Sequence, residues 1–109
     1  MPTIKPGDVA IVDFAGAMGV KRRPAVVVSS DDYHAARPDA IIGLLTTQVA
    51  RATTAMDHVV ADWKSAGLRA PSAFRSYLVT VLQSDLHIVG HLIDSDWKAV
   101  RDCMSRALA

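Results

Sequence analysis

The sequence predicts an α+β fold: a small, strongly twisted antiparallel sheet or barrel covered on one side by a C-terminal helix. Three observations predict it. Short runs of β-branched and aliphatic residues, separated by Gly, Pro, Asp and Ser, fill most of the chain, which is how strands and turns read. Helical spacing is clear only near the end, where Trp97, Val100, Met104 and Ala107 recur with Cys103 and Leu108 beside them. Strands do not alternate with helices, so a doubly wound parallel sheet is not expected.

The elements follow in order. "GDVAIVDF", after Pro6-Gly7, sets Val9, Ile11 and Asp13 on one face and Ala10, Val12 and Phe14 on the other, a first strand ended by "AGAMG". Pro24 pushes Arg23 toward extended backbone, and "PAVVVSS" is the second strand. "SDDYHAARPD" is rich in capping and turn residues and reads as a loop with one irregular turn. "AIIGLLTTQ" is a third strand, apolar on both faces and therefore central, and "DHVVAD" a shorter fourth. Asp62 is placed to cap a brief helix, "WKSAG", that Gly67 ends. Pro71 reopens an extended segment, "SAFRSYLVTVL", and Asp94 or Ser95 caps the terminal helix.

A chain of 109 residues suits one core, and residues 1–109 are expected to form a single domain. With 12 basic against 11 acidic side chains the net charge is +1. That balance excludes the broad field of a nonspecific polyanion coat, so any nucleic acid must be held by a few placed side chains. The opening residues include Lys5, Asp8 and Asp13, unlike a secretory signal, and a cytoplasmic location is expected. No apolar run approaches the ~20 residues of a membrane-spanning helix. Cys103 is the only cysteine, so no intrachain disulfide forms, and its place in a patterned helix suggests packing.

Motifs for nucleotide cofactors and helical zinc sites are absent. His87 and His91 in "HIVGH" are four apart, but Gly90 and the β-branched neighbours favour strand or turn, where that spacing makes no metal face. His34 and His58 have no evident partner in sequence and read as structural. The basic cluster Lys21-Arg22-Arg23 has two readings. Lys21 and Arg22 can form a solvated turn while Arg23 pairs with Asp31 or Asp32. Alternatively, Arg23, rooted in a central strand, presents its donor fork to a phosphate. "LLTTQ" ends an apolar strand in Thr46, Thr47 and Gln48, and alternation would set Thr46 and Gln48 on one face.

Taken together and in this order, "KPGDVAIVDF", "KRRPAVVVSSDDY", "LLTTQ", "ADWKSAGLRAPSAFR" and the closing helix resemble the MazF/PemK toxins of bacterial toxin–antitoxin systems. The resemblance covers nearly the whole chain. It implies an SH3-like barrel of the CcdB/MazF kind, working as a homodimer that cleaves single-stranded RNA at short sequences with no metal or other cofactor. It also implies a cognate antitoxin whose acidic tail occupies the RNA groove. The matching catalytic positions are Arg23, before the proline, and Thr46, the first threonine of T-x-Q; Lys21, Arg22, Thr47 and Gln48 are expected to hold substrate.

In some relatives an arginine near "SAFR", followed two residues later by an aspartate, has acid and base roles. Arg75 matches that arginine, but Tyr77 stands in the aspartate's place, suited to donating a proton or stacking on a base rather than to accepting one. The segment between Phe14 and Arg23 is short for a loop that helps choose RNA sequence in many relatives, so cut-site preference does not carry over. Two other functions fit the same chain. One is a CcdB-like inhibitor of DNA gyrase acting through the terminal helix, which exposes Lys98, Arg101 and Arg106; the other is an RNA-binding module without catalysis.

Overall fold

The apolar alternation at the start of the chain builds β1 (Asp8–Gly16), which pairs antiparallel along its length with β2 (Gly19–Val27). The computed structural model describes residues 4–16 and 19–109. Part of "AGAMG", Ala17 and Met18, and the facing of the Phe14 side chain therefore lie outside the description, whereas Ala15 and Gly16 continue the strand. Strand β2 begins five residues before Pro24, because Lys21 and Arg22 pair with Phe14 and Asp13 instead of forming a turn. The other strands are β3 (Asp39–Thr46), β4 (His58–Val59), β5 (Ala73–Leu82) and β6 (His87–His91). All pair antiparallel in the order β4–β5–β3–β2–β1–β6. This is the expected α+β architecture, a curled half-barrel with β3 and β2 at its centre.

The central strands bury residues on both faces, which explains apolar runs without polar alternation. Val9, Val26, Leu45 and Phe74 pack on one face with Val100 and Cys103 of the terminal helix, α2 (Asp94–Ala107). Val12, Ala25, Val27, Ala40 and Ile42 form a second cluster on the opposite face. Helix α2 has Ile93 at its N-cap position with no side-chain cap, and Ala107 and Leu108 are exposed, so the apolar stripe stops at Met104.

Two local expectations are corrected. The "SDDYHAARPD" segment contains a true helix, α1 (Asp31–Ala36), because the Ser30 hydroxyl accepts the Tyr33 N–H and closes the first turn. The predicted helix "WKSAG" is a run of turns instead. Its backbone lies against β6: a Cβ on Gly90 would stand 2.1 Å from the Ala66 carbonyl oxygen, and one on Gly67 2.4 Å from that of Val89. Gly67 also takes the expected left-handed conformation, φ +85°. Gly90→Ala is expected to lose about 1–3 kcal/mol or more of stability in urea unfolding, because backbone on both sides leaves no room to relax.

Asp96, in the first turn of α2, is 1% exposed and ties the helix to the loop after β4. Its carboxylate accepts the N–H groups of Ala61 (2.9 Å) and Asp62 (3.0 Å) and that of His58 Nε2 (2.7 Å). Burial pushes its pKa up, but these donors outweigh burial and leave it below the ordinary 3.8. The resulting stabilisation is complete above pH 3.8 and is lost as pH falls through the lower native pKa, where the folded state also takes up the proton. Asp96→Asn should cost about 1–3 kcal/mol at pH 7, and urea midpoints measured below about pH 4 should fall less steeply for the variant than for the parent chain.

Candidate functional site

Arg23 stands at the last exposed position of β2 before the buried run Ala25–Val27 and on the same face as Ala25 and Val27. The sheet therefore holds its backbone while the side chain reaches outward. Thr46 closes β3, and its Oγ1 accepts the Gln48 N–H at 3.1 Å, which leaves the hydroxyl hydrogen available for donation. Arg75 and Tyr77 come from β5. With Leu44 and Leu45, these four side chains line one cleft of about 330 Å³.

Two further depressions adjoin that cleft. One, of about 350 Å³, is bordered by Lys21, Arg22, Arg23, Pro24, Leu45 and Thr47. The other, of about 440 Å³, shares Arg22, Pro24 and Thr47 and extends past Gly67 and Arg69 to Ser72. Shared walls make the three a continuous band carrying Lys21, Arg22, Arg23, Arg69 and Arg75 and no lining carboxylate. A chain with almost no net charge thus gathers cations on one surface.

Not every expected side chain arrives there. Gln48 is exposed and lines none of the three depressions, because β3 ends at Thr46 and the chain turns into a 3₁₀ turn (Val49–Arg51) before alternation can place Gln48 beside Thr46. Arg22, which does border two of the depressions, also donates from Nε to Asp13 at 3.1 Å. Arg23 forms no ion pair among the described residues, with Asp31, Asp32 or any other acid.

The structure adds two residues that sequence reasoning missed. Arg69 extends the basic band. Asp57, its side chain 4% exposed, lies 3.8 Å from Arg75 Nε. Neither had a periodic or motif signal, since one sits in an irregular turn and the other 18 positions from its partner.

The histidines all have local work away from the cleft or lie at the sheet edge. His91 Nδ1 is 2.8 Å from Asp8 Oδ1, His34 bonds the Ser29 hydroxyl and His58 bonds Asp96. His87 and His91 are indeed on a strand, where four residues span about 13 Å. Among the described residues no group of three or more His, Cys, Asp or Glu side chains is arranged to hold a metal ion, and no helix is long and apolar enough to cross a membrane.

Residues 5–108 match the family described as PemK-like, MazF-like toxin of type II toxin-antitoxin system. The chain belongs to this PemK/MazF family. As a member it is the toxin component of a type II toxin–antitoxin system. Solved structures agree on the fold. An endoribonuclease in complex with its cognate antitoxin from a mycobacterial species is 16% identical, with TM-score 0.77 over 96% of this chain and 94% of that chain. Mycobacterium tuberculosis toxin MazF-mt6 is 22% identical, with TM-score 0.72 over 92% and 94%. A MazE-MazF structure from Deinococcus radiodurans is 13% identical, with TM-score 0.75 over 95% and 94%. A comparison with curated protein sequences gives no match.

Proposed function

We propose that this PemK/MazF-family toxin is an endoribonuclease that cleaves single-stranded RNA by attack of a ribose 2′-hydroxyl on the adjacent phosphate. The convergence of Arg23, Thr46 and Arg75 on one cleft carries the reading. As the 2′-oxygen bonds to phosphorus and the bond to the 5′-oxygen breaks, negative charge grows on the phosphoryl oxygens. Two guanidinium groups and a hydroxyl hydrogen aimed at that charge lower the barrier electrostatically. The proton of the attacking 2′-hydroxyl is released to solvent, the departing 5′-oxygen takes one up from solvent, and the products end in a 2′,3′-cyclic phosphate and a 5′-hydroxyl. Tyr77, 62% exposed at the cleft rim, offers its ring for stacking by a base next to the scissile bond.

Lys21, Arg22 and Arg69 border the adjoining depressions with Thr47 and suit the phosphates of flanking nucleotides; Gln48 has no place in this assignment. The same cationic band suits the acidic segment of a cognate antitoxin. The mycobacterial endoribonuclease solved with its antitoxin and the MazE-MazF structure share this fold and support such a partner. In this proposal the chain works in the cytoplasm as a homodimer. The gyrase-inhibitor alternative is not favoured, because the family match is to the PemK-like, MazF-like toxins.

Incubation of the purified chain with a long unstructured RNA in a metal chelator, followed by mapping of the 5′ ends, tests the reading. Cleavage at a short recurring sequence is expected. Arg23→Ala should lower the rate about 100-fold or more and Thr46→Val about tenfold, both with unchanged melting temperature. Saturable RNA binding without cleavage would instead identify a binding module, and intact RNA with no binding would overturn the proposal. A separate measurement concerns the flank. Lys21→Ala or Arg69→Ala should weaken binding of a 2′-O-methyl RNA and reduce its log–log salt slope by about 0.7 for each phosphate no longer neutralised.

A further inference from the structure

Ser76 has φ +58°, the one positive value at a non-glycine among the described residues. An L side chain is seldom found there without surrounding structure to hold it. Its neighbours in sequence are the two cleft residues Arg75 and Tyr77. The pairing of β5 with β3 slips at this point: Leu45 opposes Phe74 and Gly43 opposes Leu78, so residues 75–77 together face Leu44 alone. Two extra residues thus bulge out of the ladder where the cleft needs side chains. Fully buried Phe74 and half-buried Leu78 anchor the strand on either side.

The loop before β4 grips this bulge at two points. Ser76 Oγ donates to the Met56 carbonyl at 2.7 Å. Next to Met56, buried Asp57 holds Arg75 Nε at 3.8 Å in an ion pair. Asp57 is itself fixed, accepting the Thr54 N–H at 3.0 Å and the Thr54 hydroxyl at 2.9 Å. Burial raises the Asp57 pKa, and the Thr54 donors together with the Arg75 charge more than reverse that effect, so the carboxylate stays ionised. Neither Ser76 nor Asp57 lines the cleft.

We infer that Ser76 and Asp57 are positioning residues: through them the 54–57 loop holds the β5 bulge and so fixes where Arg75 and Tyr77 stand in the cleft. A bulge built this way is a preorganisation device. Its left-handed residue is kept by a side-chain bond to a neighbouring loop, and its arginine is oriented by a carboxylate that cannot swing away.

The inference rests on the cleavage reading above, so its test includes an arm that needs no cleavage. In the full chain, the Nε–Hε resonance of Arg75, assigned by its loss in Arg75→Lys, should show an ordered side chain. Asp57→Asn and Ser76→Val should mobilise it, while Ser76→Asn, which tolerates the left-handed region and keeps a donor, should leave it ordered. If Ser76→Val does not fold, Ser76→Ala takes its place, since it keeps the backbone demand and loses the bond to Met56. In the kinetic arm, Asp57→Asn should lower kcat about tenfold with KM within twofold, and should have no further effect once Arg75 is alanine.

An Arg75 side chain equally ordered in parent, Asp57→Asn and the Ser76 variants would overturn the inference. So would additive effects of Asp57→Asn and Arg75→Ala, or a fall in KM with kcat intact, which would make Asp57 merely an acid beside a basic groove. Wild-type cleavage by Arg23→Ala would sink the catalytic assignment alone, and the resonance arm would still decide the positioning role.

Discussion

The antiparallel register of β2 against β3, with Ala25 opposite Leu44, determines where both halves of the candidate site stand. The β2–β3 ladder ends at that pair, and Arg23 and Thr46, just beyond it on the two strands, line one cleft. A slip of one residue would turn one of them to the other face of the sheet. Several features hold the register. Val26 and Val27 are buried on opposite faces, so neither strand face can exchange with the other. Gly43 lies under the Phe74 ring so closely that a Cβ there would stand 2.2 Å from it, which locks β3 against β5 as well.

Where the central strands pack on both faces, chemistry falls to their exposed ends and to the neighbouring bulge. Arg23 and Thr46 occupy the end of the central strand pair, and Arg75 and Tyr77 occupy the bulge of β5 beside it. The buried acids serve this arrangement without entering it. Asp96 ties α2 to the turns at Ala61 and Asp62, and Asp57 ties a neighbouring loop to Arg75. In both, backbone donors hold the carboxylate below its ordinary pKa. The groove lining itself carries cations and no carboxylate, which is how a chain of net charge +1 presents a groove fit for a polyanion.

Local chemistry determined much of this protein directly from its sequence. The Pro24 ring and the aliphatic run after it make Arg23 the exposed root of a buried strand, and the spacing of Trp97, Val100 and Met104 makes the terminal helix; both depend on neighbours a few residues away. The family pattern pointed to Thr46 and Arg75 as well, and both line the same cleft as Arg23. Gln48 was misplaced because strand alternation was carried past the point where β3 ends. The "WKSAG" helix failed because close packing of the loop on Gly90 outweighed a weak local propensity. Only the tertiary structure decided the positive φ of Ser76, the ion pair of Asp57 with Arg75 and the entry of Arg69 into the basic band. These depend on contacts between segments distant in the chain, and no spacing of residue types along a single strand or turn encodes them.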